Sequence, residues 1–581
     1  MCGVIGCFAK NGFQLNASHH IAVKQGLKYL ELRGPDAQSI INIDNGNLIL
    51  GHTRLAIIDL SPESNQPFTH DNKSFLSFNG EIYNFKELSK QYFRDEKLST
   101  NSDTEILYYI FLKQMNLIKK IEGMFAGCFY DGENIMLFRD PMAIKPLYYY
   151  EDEEIIFFSS SLRLFKELEF FKNLELDQLA KTSFILNGHL DQGLTPFEST
   201  SEVKPGEVLT ISPDGSKKSL IFDNSKEIFK QKEIKNFNLD FTSLIDCSVN
   251  KHLVSDVPVA LMYSAGLDSN LIAKSMSKYT DVNAFTIGFD SFKATKYDEV
   301  PLAKKIAISE GYSFHHEYLS DEQILSNFNI YLDNLDTLSI DGLNTWMVCK
   351  YISSMGYKVA ISGAGGDEIF QGYSNFLYIK WLNKFINLVP SFVRNVISTL
   401  IPSRNRKFRK LKNSIKANSI EELYFIKRSL FDIELLCDYF DSDQVPYLYQ
   451  QILDYKFKSF ELPNVRNEIQ VSSLEYHFYC RNQLLRDADW ASMAHSLELR
   501  VPLVDKVLYQ NAVALRNSYP MNDKYSYYEQ YFPKLSKDLF SKQKTGFGIP
   551  LLPIVGGSDS YEYNYQQLLD NVFYSVTGRR I

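Results

Sequence analysis

The sequence predicts a two-domain protein, an α+β unit followed by a doubly wound α/β unit. Three observations predict this. A chain of 581 residues is longer than one hydrophobic core serves. Its first two hundred residues hold short apolar or β-branched runs with only two helical stretches among them, as expected of sheets covered by helices. From Val257 onward, apolar strand, small-residue turn and helix alternate, the pattern of a parallel sheet with ligands at the strand C-termini.

Composition narrows the class. A net charge of −8 offers no electrostatic footprint for nucleic acid. The seven cysteines (Cys2, Cys7, Cys128, Cys247, Cys349, Cys437, Cys480) are odd in number and lack CxxC spacing. That argues against a disulfide framework and a thiolate zinc site, and it fits a reducing cytoplasm. No charged segment followed by an apolar one opens the chain, so a signal peptide is not expected. No apolar run reaches the ~18 residues of a membrane span. The nearest, 385–401, is broken by Pro390, Arg394 and Asn395 and reads as amphipathic helix.

In chain order, Cys2 comes first, directly behind Met1 and ahead of the strand Val4–Phe8. Loss of Met1 would leave one residue carrying a thiol and a free α-amine, a nucleophile with its own general base. Strands follow at Leu48–Leu50, Ala56–Leu60, Phe75–Phe78 and Ile135–Phe138, with helices near His20–Leu32 and Thr104–Lys113. Polar clusters stand where strands end: Arg33–Asp36, Gly51–Arg54, Asn79–Asn84 and Ser102–Glu105. Alone, each reads as a turn or a cap.

Together with Cys2, and with Gly123–Ala126, Arg139-Asp140, Ile144–Tyr148 and Pro205-Gly206, these clusters resemble the class II (N-terminal nucleophile, Ntn) glutaminase domain found in the asparagine synthetase family. The resemblance implies an Ntn-hydrolase αββα sandwich in which the Cys2 thiolate attacks the side-chain amide of glutamine. It implies Asn79 and Gly80 as oxyanion donors, Arg54 as the partner of the substrate α-carboxylate, and Glu81 and Asp103 as partners of its α-ammonium. His52 reads as structural, because the Cys2 amine fills the role of base. The chain departs from the family at Pro141–Ala143 and Ser160-Ser161.

Between Thr195 and about Lys235 the pattern loosens, with Pro205-Gly206, Pro213–Gly215 and the lysine-rich 226–235 marking turns. The expected division is therefore 1–206 for the first domain, 207–235 for a linker and 236–555 for the second domain. The tail 556–581 matches nothing and is expected to be loosely ordered.

In the second domain the strand Val257–Tyr263 runs into Ser264-Ala265-Gly266-Leu267-Asp268-Ser269 and then a helix. Such a turn offers backbone N–H groups to an anion but lacks the Gly-Lys-Ser/Thr of a Walker A loop. It resembles the PP-loop of ATP pyrophosphatases, with Ala265 in place of the middle glycine. Further strand ends follow at Thr286–Phe289 and Lys358–Ser362, the latter entering Gly363–Tyr373, and later segments include Leu484–Asp489, Ser492–Asp505 and Lys544–Phe547. From about Asp246 to Pro550 the chain resembles the adenine nucleotide α-hydrolase-like synthetase domain of the same family.

That resemblance implies ATP and Mg²⁺, adenylation of a carboxylate, and capture of the acyl group by ammonia. It places Ser264, Gly266, Asp268 and Ser269 at the phosphates and Met262, Ile287, Ser362 and Gly363 around adenine and ribose. It places Asp268 and Asp367 at the metal and Lys544 at the adenylation transition state. Ala364 stands at the acceptor-activation position, where the family typically carries Glu or Asp, and Ser339–Thr345 departs from the usual acceptor segment. Aspartate is the first acceptor to expect and a sugar uronic acid the alternative. A homodimer is the family's habit. The stretch Arg394–Lys416 holds eight Lys/Arg and no acid, and reads as a solvated helical insertion rather than an anion-binding surface.

Overall fold

The computed structural model describes residues 2–43, 46–224, 228–229, 241–402, 406–431, 433–458, 460–521, 523–532, 535, 539, 548–550 and 561–581. Eleven strands build the first domain: β1 (Cys2–Ala9), β2 (Ala37–Ile43), β3 (Leu48–Arg54), β4 (Phe75–Ile82), β5 (Gly123–Tyr130), β6 (Ile135–Arg139), β7 (Tyr148–Glu151), β8 (Ile155–Ser159), β9 (Thr200–Glu202), β10 (Glu207–Ile211) and β11 (Lys217–Ile221). They form two antiparallel sheets, ordered β2-β3-β1-β8-β7-β9 and β11-β10-β6-β5-β4. Alternation along β1 sends Val4 and Phe8 between the sheets, against Ala126, Leu137 and Ile211, and Ile5 and Cys7 outward against Val23 and Leu27. The helix Ala17–Tyr29, started by a capping box between Asn16 and His19, thus covers one sheet. Helices Phe85–Tyr92 and Asp103–Lys113 cover the other. The order of layers is αββα.

Three sequence expectations change here. Gly51–Arg54 and Asn79–Ile82 are not turns at strand ends but continue β3 and β4, since Cys2 pairs with Arg54 and Asn79 with Ala126. Residues 55–60 form no strand; they curl round the Arg54 guanidinium, which binds the carbonyls of Ile58, Asp59 and Ser61. The linker expected from residue 207 is instead β10 and β11, which extend the second sheet to Ile221. The turn residues Pro213–Gly215 join these strands in a hairpin and, without their partners, have the composition of a connecting segment.

The second domain holds β12 (Val259–Met262), β13 (Asn283–Phe289), β14 (Ser313–Leu319), β15 (Val359–Ile361) and β16 (Glu498–Arg500). All pair in parallel, in the order β14-β13-β12-β15-β16. The chain steps from β12 outward to β14 and then returns to the other side of β12, so the topological switch lies between β12 and β15. Ligands bind at the strand C-termini there. Helices Phe241–His252, Leu267–Met276 and Lys506–Ser518 bury one face of the sheet, and Asp321–Asn334, Leu343–Ser354 and Leu485–Met493 the other. Between β15 and β16 an all-helical insertion includes Ser374–Leu388, Ser391–Thr399, Arg406–Lys416, Ile420–Arg428 and Val445–Lys458.

Both cores cross the domain boundary. Tyr83, Met124, Met142 and Ile144 of the first domain join one cluster, and Ala180, Phe184 and Ile185 join the other. The expected loose tail is corrected as well: Tyr561–Thr577 is a helix that buries Leu568, Leu569, Val572 and Phe573 against the second cluster. Leu569→Ala is expected to cost about 2–5 kcal/mol and to lower the calorimetric melting temperature. An unchanged melting profile would mean that this helix is not docked.

Candidate active sites

At the start of β1 the Cys2 N–H donates to Asn79 Oδ1 at 2.9 Å, which ties the candidate nucleophile to β4 across the sheets. The Asn79 side-chain NH2 is buried with no hydrogen-bond partner, a donor set beside Cys2 with nothing to bind. Gly80 follows at φ +142°, and a Cβ there would lie 2.0 Å from the Met124 carbonyl, so only glycine lets β4 press on β5. Burial pushes the Cys2 thiol up, while the Leu55 N–H and the Arg54 charge pull it back. His52 is fully buried against the Phe78 carbonyl, and burial holds it down at about 3; it is neutral and structural in its contacts.

The expected contacts of glutamine's charged end lie nearby, with one change. Arg54 engages four of its five N–H groups, with Ser61 O, Asn65 Oδ1, Ile58 O and Asp59 O. Its two-pronged fork is therefore occupied in shaping the 55–65 loop, and what remains for a carboxylate is Nε and the positive charge. Glu81 is buried with Oε2 unpartnered and Oε1 3.6 Å from the Arg500 guanidinium of β16, and burial together with Glu498 and Asp103 raises it well above the carboxylate range. Asp103, in the first turn of its helix, accepts from Ile82 N at 2.9 Å, and burial pushes it up to about 6.

The sheet ends of the second domain enclose a cavity of about 640 Å³. Its wall brings together Met262, Ser264, Gly266, Asp268, Ser269, Ile287, Ser362, Gly363 and Asp367. The turn after β12 is held internally: Gly266 N donates to Ser264 Oγ at 3.1 Å, and Ser269 Oγ to Ser264 O at 2.9 Å. Glycines admit the carboxylates, for a Cβ on Gly366 would lie 2.2 Å from Asp268 Oδ1. Ala364 is not on the lining; its methyl packs against the apolar cluster behind the sheet. Lys544 lies outside the described residues.

Sequence reasoning missed Lys524. This buried lysine bridges Asp268 and Asp367, 2.6 Å from the latter's Oδ1, with Tyr528 also donating to Asp268. The two carboxylates raise its affinity for the proton further than burial lowers it. A signal was available: Asp523 caps the helix Lys524–Tyr531, so Lys524 sits in a first turn, where the helix dipole disfavours a cation.

A second cavity of about 390 Å³ adjoins the first and shares Asp341, Asn344 and Tyr479 with it. Arg428 of the insertion lies on its wall, its guanidinium carbon 3.2 Å from the Tyr479 ring centre and its Nε buried without a hydrogen-bond partner. Burial pushes Asp341 up to about 6 against the pull of Arg428.

The comparisons agree with this geometry. Residues 1–221 match the family model described as a glutamine amidotransferase domain, and residues 240–568 match the one described as asparagine synthase. Asparagine synthetase [glutamine-hydrolyzing] 1 of Bacillus subtilis is 26% identical over 568 residues, 95% of this chain and 87% of that protein. Amidase chry2 of Gibberella zeae is 27% identical over 412 residues, 65% of this chain and 60% of that protein. Asparagine synthetase B of Escherichia coli is 26% identical over 387 residues, 61% of this chain and 63% of that protein. Fold, cavity and matches define a glutamine-dependent carbon–nitrogen ligase with an ATP-using second domain. The chain belongs to the asparagine synthase family.

Lys524→Met leaves Asp268 and Asp367 facing each other without a counter-charge. The expected cost is about 3–5 kcal/mol near pH 8. One aspartate of the pair then takes up a proton more readily than in an unfolded chain, so the deficit shrinks as pH falls toward 5. Adding Asp268→Asn is expected to recover most of the loss. A melting deficit that is equal at all pH values, or unrepaired in the double variant, would remove the charge argument.

Proposed function

We propose that the chain moves the amide nitrogen of glutamine onto an ATP-activated carboxylate, most simply that of L-aspartate. The observation that carries this reading is the hydrogen bond from Cys2 to Asn79, whose side-chain NH2 has no partner of its own and would donate to an oxyanion. In this scheme the Cys2 sulfur attacks the side-chain carbonyl carbon of glutamine and forms a thioester as ammonia leaves. Water then releases glutamate. Asn79 Nδ2 and the Gly80 backbone hold the oxyanion, Glu81 and Asp103 hold the substrate ammonium, and Arg54 faces the α-carboxylate with Nε and its charge.

In the second domain Ser264, Gly266 and Ser269 would hold the ATP phosphates, and Met262, Ile287, Ser362 and Gly363 the nucleoside. The acceptor carboxylate attacks the α-phosphorus, pyrophosphate leaves, and ammonia then displaces AMP from the acyl carbon. Among the described residues no group of three His, Cys, Asp or Glu could hold a metal. The pair Asp268 and Asp367 still suits Mg²⁺, which takes one or two carboxylates and completes its shell with water and phosphate. Such an ion would screen the negative charge between phosphate and carboxylate. We assign Lys524 to placing both aspartates and Lys544 to the transition-state charge.

The second cavity favours a second reading of the acceptor. Its space beyond the nucleotide wall, with Arg428 on it, suits an acid larger than aspartate, such as a sugar uronic acid. Pyrophosphate release with Mg²⁺-ATP, glutamine and a panel of acids tests both. A signal with aspartate supports the first reading; a signal only with uronic acids selects the second. Release without any acid, or with none of them, defeats the reading of the second domain.

Two further outcomes are expected. Cys2→Ala abolishes glutamine hydrolysis while amide formation from added ammonium persists, as measured by glutamate and product release. Below pH about 6 Asp103 takes up a proton, so kcat/KM for glutamine falls on the acid side, and Asp103→Asn raises KM and removes that pH dependence.

A further inference from the structure

One helix of the insertion is built inside out. In the helix Ser391–Thr399 the buried residues are Arg394 and Ser398, and Arg394 reaches the carbonyls of Ile415 and Ala417. Phe392, Val396 and Leu400, spaced four apart on one stripe, face solvent, with Phe392 at 69% and Leu400 at 80% exposure. The preceding helix Ser374–Leu388 buries Phe376, Ile379 and Ile386 but leaves Leu377, Trp381 and Leu388 outside, Trp381 at 69% and Leu388 at 82%. Isolated exposed leucines need no explanation. Six large apolar side chains within residues 377–400, on helices that turn polar groups inward, mark a surface made to be covered.

Charge identifies the cover. Residues 374–416 contain ten Lys/Arg and no Asp or Glu, in a chain whose net charge is −8. Lys380 pairs with Glu468 and Arg394 is buried, but Lys384, Lys407 and Lys416 are exposed along with the apolar stripe. The helix Arg406–Lys416 adds Phe408 to the exposed set. Apolar side chains beside cations of a single sign, on helices too short and too charged to span, are the signature of a surface that lies in the headgroup layer. A second copy of the chain would set this positive face against itself, which like charges oppose.

We propose that this face docks the protein on an anionic bilayer surface, whichever acid the enzyme amidates. The apolar stripes enter the acyl boundary and the lysines meet lipid phosphates. The same insertion supplies Arg406 and Arg428 to the second cavity, so docking brings that cavity close to the membrane.

The test uses the full-length protein and vesicles of phosphatidylcholine, with or without phosphatidylglycerol. Trp346 and Trp490 are buried, so Trp381 dominates any change in exposed tryptophan signal. Expected results are sedimentation with the phosphatidylglycerol vesicles, a blue shift of emission that Trp381→Phe removes, and weakening by salt. Phe392→Ser with Leu400→Ser should lower partitioning by at least about tenfold, with glutaminase activity unchanged. Absence of binding to both vesicle types overturns the proposal. So does a dimer, seen by light scattering, that dissociates in the double variant, because the face then belongs to a second copy.

Discussion

Buried charge across the domain boundary constrains everything else in this molecule. Asp489 of the second domain accepts from Arg33 at 2.7 Å and from Lys145 at 3.2 Å, all three buried. Glu202 of the first domain lies between its own Arg139 and Arg486 of the second. Arg500, at the end of β16, faces Glu498 at 2.6 Å and Glu81 at 3.6 Å. Taking such groups out of water is costly, and Asp489, whose cationic partners both come from the other domain, is tolerable only while they are in place. The network therefore adds less to stability than to register: the domains fit in one arrangement, because any slip strands a buried charge.

Arg500 also links the two domains at a strand end. Its side chain lies 3.6 Å from Glu81 of the first domain, while its backbone carbonyl accepts from Ser362 N at 2.8 Å on the wall of the larger cavity. One residue at one strand end thus touches the first domain and the wall of the larger cavity.

Much of the architecture was legible in residues because local chemistry dictated it. The switch-point loops were visible as small residues between an apolar run and a helix, and β12 and β15 do carry them to one cavity. The strand core of β1 was visible as an unbroken apolar run. Other features depend on partners distant in sequence. Whether Arg54 ends a strand or lies within one is decided by its pairing with Cys2. Strands β10 and β11 looked like a connecting segment because Pro213–Gly215 breaks them into a hairpin. Lys524 escaped notice since nothing in its own neighbourhood says that two aspartates from different loops converge on it. Motifs report what a short stretch can do alone, whereas counter-charges are assembled by the fold.

The helical insertion joins these two kinds of evidence. Its charge bias is plain in the sequence, yet charge alone suits a solvated helix as well as an anionic partner. What separates them is which side of each helix the fold turns inward, and no periodicity reports that when polar and apolar stripes are equally regular. Burial of Arg394 together with exposure of Phe392 and Leu400 reverses the ordinary arrangement of an amphipathic helix. A sheet-based enzyme core would have no use for such a reversal. It makes sense where the insertion answers to a second medium, while Arg428, two helices along, lies on the wall of the second cavity.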